Sequence, residues 1–443
     1  MSFYGKWKVV TRTPMGNAEA IWNVYEENGV AKATITENGK QAEFHTVKID
    51  GNNFDMEVEM KAFLGKMKFH MVGSVDGDTV SGTSAMKMGS SPFTGERIVE
   101  AAAEVPVAEE TTTEEQKAEA ALCGSGTKKV LGISFGHNMG NSELLLREAL
   151  MGAEEAGAEV KMLRFNDFEV KHCIGCQACT IKMMSKGEPN LCVQKDDFPI
   201  IREALLDCDA IIYSAPIFLI RPIASLLVMA DRIGPFHDVG GLESLGMNRP
   251  GSPIDQRLFK QRCAGFISVG GAVRSQYASM GLTLMNDLTY PMHVKVVDQL
   301  MVLDANSSGQ ALIHDDKVAR ARLLGKHVAE NAGKTEAEMK WCGDFDGTCP
   351  VCHGNLMTVE NGDEKVTCAI CGIQGTMKLV DGKMKVDFAE DDLKGSRLTK
   401  EECAYHYGEI FESLGKFQDI AQEVKKREEK YRNYDIPMIK PEK

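Results

Sequence analysis

The stretch "KKVLGISFGHNMGNSELLLREALMGAEEAG", residues 128–157, decides the fold of the largest part of the chain. It opens with an apolar run, "VLGIS", that is typical of a buried strand, and it closes with apolar residues at helical spacing. Between them lies a loop of small and polar residues that ends where the helix begins. The stretch therefore predicts a strand, a tight loop and a helix, which together are the repeating unit of an α/β sheet.

The same alternation continues to residue 333. Further strand-like segments read "AEVKMLRFND", "AIIYSAPIF", "CAGFISVGG" and "HVKVVDQLMV", with helical segments between them. Strands covered by helices on both faces are apolar along their length, as these are. We therefore expect an α/β fold for residues 128–335, with a doubly wound parallel sheet.

The rest of the chain divides into four segments. Residues 1–100 alternate apolar and polar residues between turn signals such as "DGNN" and "VDGD", which predicts an antiparallel β-module that resembles the lipocalin-like modules of some bacterial enzymes. Residues 101–127 are rich in Ala, Glu and Thr and predict an acidic linker. Residues 341–390 form a small four-cysteine module, and residues 391–443 a charged helix and tail.

Composition excludes several classes of protein. The 443 residues carry a formal net charge of −13, which argues against general binding to nucleic acid or to anionic membranes. No apolar run approaches the roughly 20 residues of a membrane span, and no signal-peptide pattern opens the chain. The 13 cysteines are odd in number and many lie in C-x2-C groupings, which indicates a reducing compartment. We therefore expect a cytoplasmic protein.

The loop between the first strand and helix, Ser134 to Ser142, has the features of an anion site. Backbone N–H groups and the dipole of the following helix favour a phosphate there. The loop is neither G-x-G-x-x-G nor a P-loop, which disfavours a dinucleotide fold and a nucleotide triphosphatase. A monophosphate that is held and not transferred, such as that of FMN, suits it best. The alternative is an ordinary capped turn.

Two more loops follow strands of the same sheet. "SAPIF", Ser214 to Phe218, ends the third strand, and "SVGGAVRSQY", Ser268 to Tyr277, ends the fourth. The carboxyl ends of strands beside a topological switch point line the ligand crevice in such sheets. Paired glycines let a backbone approach a flat ring closely. One loop thus suits a phosphate and two suit a flat ring, so the three loops together favour one ligand that has both.

With these three marks, residues 128–333 resemble the NAD(P)H-dependent FMN reductase family, which has a flavodoxin-like fold. The resemblance implies that the FMN phosphate lies on Ser134, His137, Asn138, Gly140, Asn141 and Ser142. It implies that the isoalloxazine lies against Pro216, Ile217, Phe218, Leu219, Ser268, Gly270 and Gly271. One departure is that Phe135-Gly136-His137 stands where the family usually carries Ser-Pro-Arg. We therefore expect the phosphate to lose a guanidinium partner, with His137 as a weaker substitute.

A first cysteine set, Cys173, Cys176, Cys179 and Cys192, follows the second strand. Its pattern resembles that of the iron–sulfur flavoproteins within this family, in which four such cysteines hold a 4Fe-4S cluster. In those proteins the last interval is five residues, whereas here it is twelve. Three interpretations therefore stay open: a 4Fe-4S cluster, a structural grouping of thiols, and a zinc site.

A second set, Cys349, Cys352, Cys368 and Cys371, consists of two C-x2-C pairs with fifteen residues between them. This spacing predicts a tetrahedral site of four thiolates, either a zinc ribbon or a rubredoxin-like iron site. We favour zinc because structural four-cysteine zinc is the commoner use of the spacing. Iron would make the module an electron donor to the flavin. Cys403 and His406 also have metal-ligand spacing, but a lone pair is usually packing.

FMN without a constellation for covalent catalysis indicates redox chemistry, with NADH or NADPH as the donor. The candidate catalytic residues are Tyr277, as a proton donor or substrate anchor, and Arg221, as a charge stabiliser. Tyr290 and Arg274 are further candidates, of which Tyr290 is better interpreted as a half-buried core residue.

Three functions are compatible with these features. The first is an enzyme that reduces a small conjugated acceptor: an activated C=C bond, a quinone, or an azo or nitro group. The second is an electron carrier between proteins, and the third a flavin-binding sensor. The long cysteine interval and the β-module favour the first. The overall layout resembles the ene-reductases of gut anaerobes that hydrogenate flavones, which implies an aromatic enone as acceptor. The family resemblance also implies a homodimer or homotetramer.

Overall fold

The structure, a computed structural model, describes residues 3–13, 16–27, 29–37, 40–62, 65–86, 89–98, 126–180, 182, 192–234, 237–359 and 362–439. The chain divides into two compact units, Met1–Pro106 with Tyr405–Lys443, and Val107–Ala404. The predicted linker, residues 101–127, lies outside the described residues except for its last two positions. Among the described residues, no helix is both long and apolar enough to cross a membrane.

The first unit contains a closed barrel of eight antiparallel strands. The strands are β1 (Gly5–Thr13), β2 (Gly16–Glu27), β3 (Val30–Glu37), β4 (Lys40–Asp50), β5 (Asn53–Ala62), β6 (Gly65–Asp76), β7 (Thr79–Met86) and β8 (Gly89–Arg97). Each strand pairs with the next along the chain, and β1 closes the barrel by pairing with β8 as well, where Trp7 lies opposite Arg97.

The barrel core follows from the period-two pattern of its strands. On β5, Phe54, Met56 and Val58 are buried and the residues between them point outward. Aromatic rings fill much of the interior: the Phe54 ring stacks on that of Phe3 at 4.3 Å, and Trp22 meets Phe93 at 5.1 Å. An antiparallel module is what the turn spacing predicts, and the likeness to lipocalin-type modules stays a prediction.

The second unit is built on a parallel sheet with the strand order β10-β9-β11-β13-β14. This is the 2-1-3-4-5 order of flavodoxin-like folds, and it confirms the predicted doubly wound α/β class. A short strand, β12, pairs antiparallel with the end of β11. The strands are β9 (Lys129–Ser134), β10 (Glu159–Arg164), β11 (Ala210–Phe218), β12 (Arg221–Pro222), β13 (Cys263–Val269) and β14 (Lys295–Val302). The helices are α1 (Asn141–Glu155), α2 (Phe198–Asp207), α3 (Ala224–Ile233), α4 (Val239–Ser244) and α5 (Asp315–Asn331).

Burial explains why the strands lack a polar face. All seven residues of β13 and the first six of β11 are buried, because helices cover both faces of the sheet. Helices α1 and α5 pack backbone to backbone: a Cβ on Gly152 would lie 1.9 Å from the Arg322 carbonyl oxygen, and one on Gly325 would lie 1.7 Å from that of Ala149. This contact fixes α1 against α5, and with it the helix N-terminus that follows the predicted phosphate loop.

The C-terminal part of the chain forms a four-stranded antiparallel sheet and two helices. The strands are β15 (Met357–Val359), β16 (Lys365–Cys368), β17 (Gln374–Val380) and β18 (Lys383–Asp387), followed by α6 (Glu390–Lys394) and α7 (Lys400–Arg432). The ring of His353 stacks on Trp341 at 3.9 Å, and its carbonyl accepts from the Gln299 amide at 3.3 Å. The cysteine-bearing turn is therefore attached to β14.

Arg262 is a buried cation that donates its hydrogen bonds to backbone carbonyls. Only 1% of it is exposed, and its five N–H groups donate to five backbone carbonyls at 2.7–3.3 Å. Those carbonyls belong to Leu206, Cys208, Arg257, Leu258 and Lys260. They include the end of α2, where the helix dipole is negative. Arg262 thus joins α2 to the turn that precedes β13.

We expect Arg262→Met to lower the free energy of unfolding by about 3–5 kcal/mol, because it strands several buried carbonyls that the guanidinium satisfies. Urea unfolding followed by circular dichroism measures the change. Arg249→Ala, at an exposed position of the same unit, is the control and should shift stability by less than about 0.5 kcal/mol. Equal stability of the two variants would contradict a structural role for Arg262.

Candidate active site

Three buried serines lie at one level of the three central strands. Ser134 ends β9, Ser268 is the second-last residue of β13, and Ser214 lies midway along β11, opposite the end of β9. Ser134 pairs directly with Ser214, and Ser268 with Ala215 one residue further along. The Ser268 hydroxyl has no hydrogen-bond partner within the described residues. A buried, orphaned hydroxyl at this edge of the sheet is suited to a bound ligand.

The predicted phosphate loop folds tightly over the start of α1. A Cβ on Gly136 would lie 2.2 Å from the Ser142 hydroxyl oxygen, so a larger residue there would displace the Ser142 side chain. The Gly136 N–H donates to the Ser134 hydroxyl at 3.3 Å, and the Gly140 N–H donates to the His137 carbonyl at 3.0 Å. The cradle leaves the first N–H groups of α1 facing the loop, since no side chain caps them. The donor set fits a phosphate.

The polar side chains of this loop are not all directed to one point. The Asn141 amide donates to the carbonyls of Ala305 and Ser307, both at 2.8 Å, and its oxygen accepts from the Ala311 N–H at 3.1 Å. Its side chain therefore fastens α1 to the loop after β14, and only its backbone N–H is left for a phosphate. The His137 ring is exposed and contacts the Asn138 carbonyl. The predicted roles of the other loop residues stay predictions.

Sequence reasoning missed two further residues at this edge. The Ser214 hydroxyl donates to the Ser142 carbonyl at 2.7 Å and so holds the first turn of α1 against β11. The sequence signal that could have identified Ser214 is that each of the three apolar strand segments contains a serine near its carboxyl end or middle. Arg164, the last residue of β10, donates to the Asn138 side chain at 3.0 Å. A guanidinium therefore does reach the loop, from another strand, and the expectation that the loop lacks one is incomplete.

The loops predicted to hold the ring lie together. A Cβ on Gly281 would meet the Ser268 hydroxyl at 2.7 Å and the Ile217 side chain at 2.8 Å. Gly270 faces Leu303, and Gly271 faces Asn306 at 2.9 Å. Protein packing thus already requires these glycines to be small, which differs from the expected reason, close approach to a ring. Their contact with a ring stays a prediction.

The β11–β12 hairpin forms an apolar rim at the same edge. Phe218 pairs with Arg221, and the two residues of the turn, Leu219 and Ile220, both have left-handed backbone, with φ of 50° and 66°. Such a turn normally takes Asn-Gly, because side chains raise its energy. The Met280 N–H donates to the Ile220 carbonyl at 3.0 Å, so the loop after β13 lies against the hairpin.

The candidate catalytic residues lie on these two loops. Arg274 donates to the Tyr277 hydroxyl at 3.2 Å, and its guanidinium lies 5.2 Å from the centre of the Tyr277 ring. Arg221 donates to the carbonyl of Pro222. Tyr290 is half-buried and hydrogen-bonded to Cys403, at the start of α7, which agrees with its interpretation as a packing residue.

A buried ion pair anchors the first cysteine set. Arg232 on α3 donates to both carboxylate oxygens of Asp196 and, at 2.6 Å, to the Lys171 carbonyl, and both charged side chains are at most 2% exposed. Burial alone would lower the pKa of Arg232, but its hydrogen bonds and ion pair with Asp196 raise the pKa. Cys192 and Cys173 raise it further by smaller amounts, so the pKa lies above its usual value. Both ends of the loop are thus fixed beside Arg232.

The four thiols of that set do not form a single-ion site. Among the described residues, only Cys349, Cys352, Cys368 and Cys371 form a group of metal-ligating atoms that all lie within 4.8 Å of one another. Zinc is therefore not supported at the first set. A 4Fe-4S cluster spreads its ligands more widely, so it stays a prediction for Cys173, Cys176, Cys179 and Cys192.

The second set comes together as its spacing predicts. The Sγ atoms of Cys349 and Cys371 lie 3.4 Å apart, as do those of Cys352 and Cys368, and all four residues are buried. Tetrahedral zinc with Zn–S bonds of about 2.3 Å separates its thiolates by about 3.8 Å, so the group fits one metal ion. Cys403 is buried and contacts the Arg397 carbonyl, whereas His406 is exposed and pairs with Glu409.

We expect Cys368→Ser to remove about one metal ion per chain and to lower the unfolding temperature, because three thiolates hold a structural metal weakly. Elemental analysis and a thermal scan measure both effects, and the analysis identifies the metal. Cys342→Ser, which removes a thiol outside the group, should keep the metal. Unchanged metal content in Cys368→Ser would contradict the site.

Comparisons with known proteins agree with this geometry. The family model of NADPH-dependent FMN reductases matches residues 121–307. Flavone synthase cfoJ of Aspergillus candidus is 30% identical over 59% of this chain and 82% of its own length. A solved structure described as a flavone reductase is 28% identical, with a TM-score of 0.58, and is matched over 71% of this chain and 100% of its own.

An iron-sulfur flavoprotein of Archaeoglobus fulgidus is 24% identical over 47% of this chain and 97% of its own length. The region that the family model matches, residues 121–307, carries the three loops described above. These matches show FMN as the cofactor and a nicotinamide nucleotide as the donor. The chain belongs to the NADPH-dependent FMN reductase family and is an NAD(P)H-dependent flavin oxidoreductase.

Proposed function

We propose that this oxidoreductase reduces the activated C=C bond of a flat aromatic enone, with a flavone as the best candidate. Two relatives support the choice of acceptor, since both the synthase and the reductase named above concern flavones. Reduction is the direction that an NAD(P)H-dependent enzyme favours when the donor is in excess.

The observation that carries the proposal is the apolar rim of the crevice. Phe218, Leu219 and Ile220 are 59%, 86% and 46% exposed, and Val273 and Tyr277 on the neighbouring loop are 72% and 47% exposed. Clustered large apolar side chains on a surface mark a binding site. A flat apolar acceptor would cover them while its polar end meets the arginines of the same loops.

FMN, when bound, supplies two-electron hydride chemistry between the nicotinamide and the acceptor. The protein then has to orient the acceptor and deliver a proton. Because Arg274 donates to the oxygen of Tyr277, the phenol keeps its own proton free for an acceptor. Arg221 uses one N–H group on the Pro222 carbonyl, and its other N–H groups suit the carbonyl oxygen of an enone.

We further propose structural zinc at Cys349, Cys352, Cys368 and Cys371, because buried four-thiolate ribbons commonly hold zinc.

A second candidate function is an iron–sulfur electron carrier. The matches to iron-sulfur flavoproteins favour it, as does the fixed position of both ends of the first cysteine loop beside Arg232. We also propose, from the family resemblance, that the protein is a homodimer or homotetramer, and both candidate functions are compatible with this.

Anaerobic turnover tests the proposed reaction. The protein with FMN is mixed with NADH or NADPH and then with flavones, simpler enones, quinones, azo dyes and nitroarenes. We expect nicotinamide oxidation that depends on the flavone and a product that has gained two hydrogens by mass spectrometry. Turnover with quinones but with no enone would contradict the proposal and favour a quinone reductase. About four irons per chain with a cluster spectrum would favour the carrier.

We expect Tyr277→Phe to lower kcat with the enone by about a hundredfold, the usual size of a lost general acid. Reduction of the bound flavin by NADH should be unaffected, since it needs no proton from Tyr277. Stopped-flow absorbance separates these two half-reactions. Tyr290→Phe is the matched control, and a similar loss of kcat in both variants would remove Tyr277 from the mechanism.

A further inference from the structure

A buried carboxylate follows the phosphate loop directly in the chain. Glu143 is the third residue of α1 and its side chain is fully buried. Burial alone would raise the pKa of Glu143, but hydrogen bonds from Arg164 and Arg147 outweigh it and lower the pKa. The acid is therefore held ionised beside a site that is suited to an anion.

Arg164 and Arg147 both contact Glu143, but they differ in exposure and in their other contacts. Arg164 is 17% exposed and donates to Glu143 at 2.7 and 3.1 Å, to Asp167 at 2.6 Å and to the Asn138 side chain at 3.0 Å. Arg147 is 47% exposed and donates to Glu143 at 2.8 and 3.0 Å. Only Arg164 joins the carboxylate to a residue of the loop.

We propose that Arg164 is the positioning residue that makes the loop select a phosphorylated flavin. It cancels the charge of Glu143 where an incoming phosphate would meet it, and it fixes Asn138 in the loop. The guanidinium that this loop lacks in its own sequence is thereby provided from the end of β10. The inference rests on the assignment of residues 134–142 to the FMN phosphate.

Charge sets the direction of the effect. A phosphate monoester carries about 1.5 to 2 negative charges at neutral pH. Without Arg164, Glu143 keeps only the guanidinium of Arg147, Asp167 loses its ion pair, and the local charge becomes negative. Riboflavin has the same ring system as FMN but no phosphate. Loss of Arg164 should therefore weaken FMN and leave riboflavin unchanged.

The test measures dissociation constants of the apoprotein for FMN and for riboflavin by quenching of flavin fluorescence. For Arg164→Gln we expect the FMN constant to rise about ten- to hundredfold, the effect of losing hydrogen bonds to charged groups, with the riboflavin constant unchanged. Arg147→Gln is the matched control, with the same change of charge and the same carboxylate contact. It should raise the FMN constant by less than about fivefold, because its guanidinium is half-exposed to solvent, which screens its charge, and it contacts Glu143 but no residue of the loop.

Three results would overturn the inference: equal weakening of both flavins, an unchanged FMN constant, or equal effects of the two substitutions. Should Arg164→Gln not fold, as judged by circular dichroism, Arg164→Lys replaces it. That variant keeps the charge, but one ammonium cannot span Glu143, Asp167 and Asn138 together, so FMN preference should still fall. A wild-type protein that binds both flavins equally would instead refute the phosphate loop itself.

Discussion

The in-register parallel pairing of β9, β11 and β13 is the constraint on which the active site depends. Parallel strands that pair in register end at one edge of the sheet, and here that edge carries three buried serines. The loops after these strands must then turn over the same edge. The anion cradle, the apolar rim and the arginine–tyrosine pair meet because the strands do, although they come from three distant segments of the chain.

Buried charges hold these loops in place. Glu143 with Arg164 braces the phosphate loop, and Asp196 with Arg232 closes the cysteine loop. Asp298 on β14, fully buried, accepts from Arg320 at 2.5 and 3.0 Å and pairs with His327 at 2.7 Å. Such pairs gain little net stability because desolvation opposes them, but each has essentially one geometry. These ion pairs hold side chains and loops in one position more than they stabilise the fold. A cofactor site requires such fixed positions.

The sequence predicted the features whose cause is local. Apolar runs give the strands of the sheet, C-x2-C pairs give the buried thiolate group, and a small polar loop before a helix gives the anion cradle. The missed features depend on contacts between distant segments. The bonds of Asn141 to the 305–311 loop and the reach of Arg164 to Asn138 span 164 and 26 residues of chain, and no spacing rule encodes them. The strand order likewise arises only from tertiary pairing.

The Leu219–Ile220 turn has a consequence for how this protein can change. Each left-handed residue with a side chain costs about 1–2 kcal/mol, and a β-branched one is the least suited to that backbone. Asn-Gly would relax the turn, but it would also strip two apolar side chains from the rim. Selection for heat resistance alone would favour that exchange. Relatives that retain Leu-Ile at this turn would therefore indicate continuing selection for binding of the acceptor. Variants selected for thermostability should be tested for a narrower range of acceptors.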